Sequence, residues 1–235
     1  MRSVFDVETL HSGDWGHAMA TRTKSVLPKT RSPEEWARLF GCIQTRYPTQ
    51  ARNDALLRLM YVTGLRVGEA LALRVRDFDA DLGKVTVTEG KTGQRVVPLP
   101  NDVNTLRRSI ERWLAFRRSW KPTSDLLFVT ATGAPMRTSA VRRTMALYGE
   151  RSGIGHVTPH MLRHSAASEM FAAGAPPIGV QRVLGHRSLR TTLETYAHAS
   201  DTHALEAMNL RAEHDRKRLH ASRTETTSRT QHDGA

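Results

Sequence analysis

The sequence is poor in the residues that form covalent cross-links, membrane spans and metal sites. Cys42 is the single cysteine in 235 residues, which excludes an internal disulfide and a cysteine-based zinc site. No apolar run approaches the roughly 18 residues that a membrane-spanning helix needs. The acidic residues are scattered, whereas metal-dependent phosphate chemistry uses clustered carboxylates. We therefore expect a cytoplasmic protein that works without a metal ion or another cofactor.

Positive charge, by contrast, is abundant. Thirty-five lysines and arginines stand against 23 aspartates and glutamates, which gives a formal net charge of +12. These basic residues are spread along the whole chain and do not form one tail. Such a charge balance favours a nucleic-acid partner, although a basic surface that serves solubility is the alternative. At this length, the chain can bury one sizeable core.

Hydrophobic periodicity predicts an α+β fold that is mainly helical. A capping box at Ser32 and Glu35 predicts the first helix, and the spacing of apolar residues predicts further helices from about residues 50, 101, 138 and 158. The period changes to two between residues 75 and 99, which predicts three antiparallel strands at 76–78, 84–88 and 94–99. Outside a central domain at 31–200, the composition predicts a flexible arm at 1–30, a charged amphipathic helix at 201–220 and a disordered tail at 221–235.

The start of the helix at residue 158 is suited to an anion. Thr158 is a typical N-cap and Pro159 fits the first helical position. His160 and Arg163 are three residues apart, so they share one helix face. Because the N–H groups and the dipole at a helix start favour negative charge, we expect a phosphate group to bind there.

Two more reactive side chains follow within forty residues. A short helix is predicted from Pro177 to Gly185, which places His186 at its exposed end. Ser188 is predicted to cap another helix that carries Tyr196. The chain thus folds back twice, and these side chains can converge on the helix start described above.

Such a set fits phosphodiester cleavage without a metal. Negative charge builds up on the non-bridging oxygens in the transition state, and planar guanidinium groups such as those of Arg66 and Arg163 match that geometry. Tyr196 is a suitable nucleophile. The leaving alkoxide needs a proton donor, and either Lys91, at a predicted hairpin tip, or His160 would serve.

Each of these residues also has an ordinary structural explanation. Arg66 fits as an ion-pair partner of Glu69, and Tyr196 fits as the last core residue of its helix. A zinc site is a weaker alternative, because no cysteine lies near the candidate ligands His160, His164 and His186. Taken singly, the residues favour the ordinary explanations, whereas together they favour phosphate chemistry.

Five motifs, in this order, resemble the catalytic domain of the tyrosine recombinase (phage integrase) family. They are TGLRVGEALAL at 63–73, GKTGQRVVPLP at 90–100, TPHMLRHSAAS at 158–168, LGHRSLRTT at 184–192 and TY at 195–196. The resemblance covers residues 31–200. It implies the integrase-like DNA breaking-rejoining fold, with a small three-stranded antiparallel sheet, and an enzyme that needs neither ATP nor a metal.

The resemblance also implies a role for each matching residue. Lys91 would protonate the leaving 5′-oxygen, and Tyr196 would form a transient 3′-phosphotyrosine linkage. Glu69 would support the site by holding Arg66. The groups that would hold the scissile phosphate are Arg66, His160, Arg163 and His186.

As a whole, the resemblance implies a nucleoid-associated, site-specific recombinase that integrates, excises or inverts double-stranded DNA. The helix at 201–220 would dock on a neighbouring subunit in a homo-tetramer.

Most family members carry a separate core-binding domain before the catalytic domain, and only about thirty residues precede it here. We therefore expect weak DNA binding, or help from an accessory core-binding or DNA-bending partner. The alternatives are a non-catalytic DNA-binding regulator or degenerate remnant, and a relaxing topoisomerase of similar chemistry.

Overall fold

The computed structural model describes residues 30–88, 93–101, 104–186 and 188. Within them, the chain forms seven α-helices and three β-strands, which confirms the mainly helical α+β fold. The helices are α1 (Pro33–Gly41), α2 (Pro48–Thr63), α3 (Val67–Ala72), α4 (Asn104–Ser119), α5 (Thr138–Arg151), α6 (Pro159–Ala172) and α7 (Pro177–Leu184). The strands are β1 (Phe78–Asp79), β2 (Lys84–Val87) and β3 (Arg95–Pro98). Residues 1–29, the predicted helix at 201–220 and the tail at 221–235 lie outside the described residues.

Local signals fix several helix ends as predicted. Ser32 and Glu35 form the reciprocal capping box of α1, in which the Glu35 carboxylate accepts from the Ser32 N–H at 2.8 Å. Thr158 caps α6, because its Oγ1 accepts from the Met161 N–H at 3.3 Å. Helix α7 ends at Gly185, whose φ of 64° lies in the left-handed region.

Helix α2 lies at the centre of the fold and packs against α4 and α6. Both Trp36 of α1 and Trp113 of α4 are fully buried in the surrounding core. Each indole N–H has a partner, Ser165 Oγ for Trp36 and the Leu127 carbonyl for Trp113, both at 2.8 Å. The segment 127–129 is fully buried between two isolated bridges, which pair Leu126 with Arg74 and Val129 with Pro135.

The three strands form one antiparallel sheet in the order β1-β2-β3. Val85 of β2 lies opposite Val97 of β3, and both are fully buried. The first predicted strand was placed too early, since residues 75–77 form a 3-10 turn. The Asp77 carboxylate accepts from the Arg74 N–H at 2.8 Å, and this local bond favours the turn over a strand.

Helix α7 lies between the sheet and the other helices. Strand β3 contacts α7, which in turn packs against α6, and α3 follows directly after the end of α2 at Gly64. Helix α3 also contacts α5. These contacts bring the starts of α3 and α6 and the end of α7 into one region. Each helix described in the structure is too short or too polar to cross a membrane.

Candidate active site

A cleft of about 680 Å³ opens where α3, α5 and the start of α6 meet. Its lining includes three arginines and two histidines but one acidic residue. These charged or titratable residues are Arg66, Glu69, Arg142, His156, His160 and Arg163. A concave surface with this balance attracts an anion. The cleft therefore has the electrostatic character that the sequence predicts for a phosphate site.

Arg163 is buried in the wall of the cleft, with a relative exposure of 6%. Its Nη1 donates to the Gly64 carbonyl at 2.7 Å and its Nη2 donates to the Leu184 carbonyl at 2.9 Å. Two backbone acceptors from distant parts of the chain thus fix the plane of the guanidinium. A buried charge held in this way needs little reorganisation to meet a phosphate.

Arg66 occupies the N-cap position of α3 and is less buried than Arg163. Its Nη1 donates to Glu69 Oε1 at 3.0 Å, which confirms the predicted contact three residues apart. Both terminal nitrogens also lie 3.4 Å from the Gly185 carbonyl. Because Gly185 follows Leu184, the two arginines bond to adjacent carbonyls, and both line the same cleft.

Glu69 is almost completely buried, and its carboxylate accepts hydrogen bonds from a second arginine, Arg95, which was not among the predicted site residues. Arg95 of β3 donates from Nη1 to Oε1 at 3.0 Å and from Nη2 to Oε2 at 2.9 Å. Its Nε also donates to the Val183 carbonyl at 3.2 Å. Burial by itself raises the pKa of Glu69, but the bonds and charges of Arg95 and Arg66 outweigh it, and the pKa falls below its usual value.

His186 directly follows the end of α7 and is half-buried, in contrast to its predicted exposed position. Burial lowers its pKa, and the charges of Arg163, Arg66 and Arg95 lower it further, against the opposing charge of Glu69, to about 4. The imidazole is therefore neutral at pH 7. Its backbone is also fixed, because the His186 N–H donates to the Gln181 carbonyl at 3.2 Å.

We expect this shift to make the protein less stable as the pH falls from about 6.5 to about 4. The folded pKa of about 4 lies below the ordinary value of 6.5, so in this window the unfolded chain binds a proton that the native protein does not. The free energy of unfolding should therefore decrease through the window, and the contribution of His186 should level off below it. An NMR titration of the imidazole measures both values, with the same titration in urea as the reference. A folded-state pKa near 6.5 would contradict the prediction.

The structure brings five of the seven predicted residues together, and the other two lie outside the described residues. Arg66, His160 and Arg163 line the cleft, with Glu69 behind Arg66. His186 lies close enough to sense the charges of both arginines. The remaining two, Lys91 and Tyr196, fall outside the described residues.

Three further residues, Arg95, Arg142 and His156, belong to this region. The sequence pattern could have identified Arg95 as a residue with a specific partner. Arg95 lies two positions before Val97, so the two share the buried face of β3. A charged residue on the buried face of a strand indicates a specific partner. Arg142 and His156 are exposed cleft residues, and basic residues on an exposed surface are too common to have attracted notice.

The described residues contain no group of three or more histidine, cysteine, aspartate and glutamate side chains placed to hold a metal ion. His160, His164 and His186, considered above as a zinc site, do not form such a group. The titratable and charged side chains of the cleft are therefore mainly arginines and histidines.

Comparison with known proteins matches most of the chain to one family. The model of the phage integrase family matches residues 30–203. The tyrosine recombinase XerC of Mannheimia succiniciproducens is 32% identical over 181 residues, which cover 77% of this chain and 60% of that protein. The XerC of Corynebacterium glutamicum is 35% identical over 158 residues, which cover 67% of this chain and 50% of that protein. The chain therefore matches only about half to three-fifths of the length of these relatives.

Solved structures show the same relationship. The crystal structure of XerA recombinase superposes with a TM-score of 0.66 at 30% identity, over 79% of this chain and 65% of that one. The XerH site-specific recombinase, in a post-cleavage complex with a palindromic difH substrate, gives 0.67 at 26% identity over 77% and 53% of the two chains. The fold is that of a tyrosine recombinase catalytic domain. This chain belongs to the phage integrase family.

Proposed function

We propose that this protein is a site-specific recombinase that cuts and rejoins double-stranded DNA through a covalent 3′-phosphotyrosine intermediate. One observation supports this most strongly. Arg66 and Arg163, which are far apart in sequence, bond to the adjacent carbonyls of Gly185 and Leu184 and line one cleft with His160. A scissile phosphate in this cleft would meet two guanidinium groups at once.

The proposed chemistry is a transesterification at phosphorus. The Tyr196 hydroxyl oxygen forms a bond to phosphorus and loses its proton, while the bond from phosphorus to the 5′-oxygen breaks. The departing alkoxide takes a proton, and the family resemblance assigns that donation to Lys91. Since one phosphodiester replaces another, a 5′-hydroxyl of a partner strand can reverse the step without ATP.

The neighbouring groups would stabilise the charge that builds up on the non-bridging oxygens. Arg66 and Arg163 supply fixed positive charge. His186 can donate a hydrogen bond from a ring N–H, and His160 sits at the start of α6, where backbone N–H groups also favour an anion. We assign these four residues to phosphate binding on that basis.

We further propose double-stranded DNA as the substrate and a homo-tetramer as the active assembly. The cleft chemistry and the net charge of +12 support the first. The amphipathic pattern of residues 201–220 supports docking on a neighbouring subunit. An accessory DNA-bending or core-binding partner and a location on the nucleoid belong to the same proposal.

The test is covalent capture on nicked suicide duplexes, in which loss of a short 5′-fragment traps the phosphotyrosine. The probes are duplexes that tile the DNA flanking the coding sequence, together with a difH duplex. We expect the wild-type protein to give an adduct that survives denaturing electrophoresis. Tyr196→Phe should give none while it still binds the duplex, because only the nucleophilic oxygen is lost. Tyr47→Phe is the matched control, since Tyr47 is an exposed tyrosine outside the cleft.

Other outcomes would overturn the proposal in distinct ways. An adduct that persists in Tyr196→Phe would assign the nucleophile to another residue. A wild-type protein that shifts the duplexes but never forms an adduct would be a non-catalytic DNA-binding regulator. Relaxation of supercoiled plasmid without any specific site would indicate a topoisomerase.

A further inference from the structure

We propose that Arg95 is a positioning residue for strand cleavage, which neutralises Glu69 and so leaves the positive charge of Arg66 available to the DNA phosphate. This inference rests on the proposed function and concerns the same site. Arg95 does not line the cleft, and it acts through Glu69 and the end of α7.

The charge balance at Glu69 is the first argument. The carboxylate is 5% exposed, and burying it without a cation would be costly. With Arg66 as its single partner, the pair would be neutral and Arg66 would attract an anion weakly. Arg95 adds a second cation through a bidentate contact, so the group of three has a net charge of +1. That remaining charge faces the cleft on the side of Arg66.

The geometry at Glu69 is the second argument. Each carboxylate oxygen accepts one bond from Arg95 and one from Arg66, at 2.9 or 3.0 Å. The bonds from Arg66 come from its backbone N–H and from Nη1. Glu69 therefore cannot rotate without breaking several bonds, and it fixes both the backbone and the guanidinium of Arg66.

The end of α7 supplies the third argument. Its last carbonyls accept from three different arginines in succession, with Val183 bonded to Arg95, and Leu184 and Gly185 bonded to the two proposed phosphate ligands. Carbonyls at a helix C-terminus lack partners within the helix and favour positive charge. Arg95 thus connects the sheet to the segment that precedes His186.

Close packing at Gly185 indicates that the position of Arg95 is specific. A Cβ on Gly185 would lie 2.8 Å from the Arg95 Nη1 and Cζ, so the guanidinium rests directly on this backbone. The φ of 64° at Gly185 also favours glycine. Any side chain at position 185 would displace the Arg95 guanidinium. The absence of a side chain at Gly185 therefore makes room for Arg95.

The test compares Arg95→Met and Arg95→Lys with the wild type on the suicide duplex that gives the adduct. We expect Arg95→Met to slow single-turnover adduct formation about 10- to 100-fold, because a small displacement of a catalytic group has effects of that size. DNA affinity should fall much less than the rate, since Arg95 lies behind the cleft and the basic residues that attract DNA are spread along the whole chain. Arg95→Lys should recover part of the rate, because it restores the charge but not the bidentate contact.

Two further measurements separate positioning from a purely structural role. In a double-mutant cycle, Arg95→Met should cost much less in a Glu69→Gln background, where no carboxylate charge needs to be neutralised. In the DNA-free protein, Arg95→Met should raise the pKa of His186, because one of the three cations that lower it is removed while Arg66, Arg163 and Glu69 remain. Arg107→Met is the control for charge removal, since Arg107 pairs with Asp81 at an exposed site.

The possible outcomes distinguish this inference from the proposed function. If the wild type forms the adduct and Arg95→Met forms it at the same rate, the inference is wrong and the proposed function stands. If the rate falls equally in the Glu69→Gln background, Arg95 does not act through Glu69 and the inference is also wrong. If the wild type forms no adduct on any probe, the proposed function fails and the inference fails with it. Thermal unfolding checks each variant, and Arg95→Lys replaces Arg95→Met if the latter does not fold.

Discussion

Replacing Arg163 with alanine is expected to reduce both catalysis and stability. Loss of one preorganised donor to a transition-state oxyanion lowers the rate by about 10²- to 10³-fold, and we expect adduct formation to fall by at least that much. The same change leaves the buried carbonyls of Gly64 and Leu184 without their donors. Buried acceptors that lose a partner cost about 1–3 kcal/mol each, so the free energy of unfolding should drop by about 3 kcal/mol.

The two effects are measured separately, by single-turnover adduct formation and by urea unfolding. Arg142→Ala is the control, because Arg142 lines the same cleft but is exposed. It should weaken DNA binding modestly and leave stability nearly unchanged. Arg163→Lys keeps the charge but cannot serve both carbonyls with a planar group, so it should recover little of either loss. An Arg163→Ala protein as stable as the wild type would contradict the structural role described for this residue.

Gly149→Ala is expected to destabilise the protein, although alanine is the better helix former. Gly149 lies in α5, where the chain turns back over the helix, and its carbonyl accepts from the N–H groups of Ile154 and Gly155. A Cβ at this position would collide with the Gly155 carbonyl oxygen and lie 2.8 Å from Val157 Cγ2. Overpacking costs about 3 kcal/mol, whereas helix propensity returns about 1 kcal/mol, so the net loss should be about 2 kcal/mol.

Gly179→Ala provides the matched control. Gly179 also lies inside a helix, α7, and a Cβ there would meet nothing within 4 Å. The control should therefore be neutral or gain up to about 1 kcal/mol. Urea unfolding measures both variants, and a stable Gly149→Ala protein would contradict the packing described here. Because the displaced segment leads directly to the Thr158 cap of α6, Gly149→Ala should also slow adduct formation.

The sequence predicted the local features well because their causes are local. The capping box at Ser32 and the cap at Thr158 depend on residues within one helical turn. The positive φ at Gly64 and Gly185 follows from the helix ends that the glycines form. Where two local preferences competed, at residues 75–77, the side chain of Asp77 decided for a turn, and periodicity alone misplaced the strand.

The candidate site divides along the same line. Sequence spacing alone determined that His160 and Arg163 share the first turns of α6, and that Arg66 reaches Glu69. Two long-range contacts bring these pairs into one cleft. Arg163 bonds to Gly64, at a sequence separation of 99 residues, and Arg66 bonds to Gly185, at a separation of 119 residues. No pattern within a helix or strand encodes such a contact. It follows from how α2, α6 and α7 pack.

Arg95 shows most clearly what only the tertiary structure decided. The two-residue period of β3 assigns it to the buried face, yet its partners come from α3 and from the end of α7. A buried arginine is stable where a carboxylate and unpaired helix carbonyls converge on it, and that convergence exists only after the sheet has packed against α7. The sequence by itself determined the starts of α1 and α6, the two longer strands and the reactive side chains. Tertiary packing decided which charges neutralise one another and which one faces the cleft.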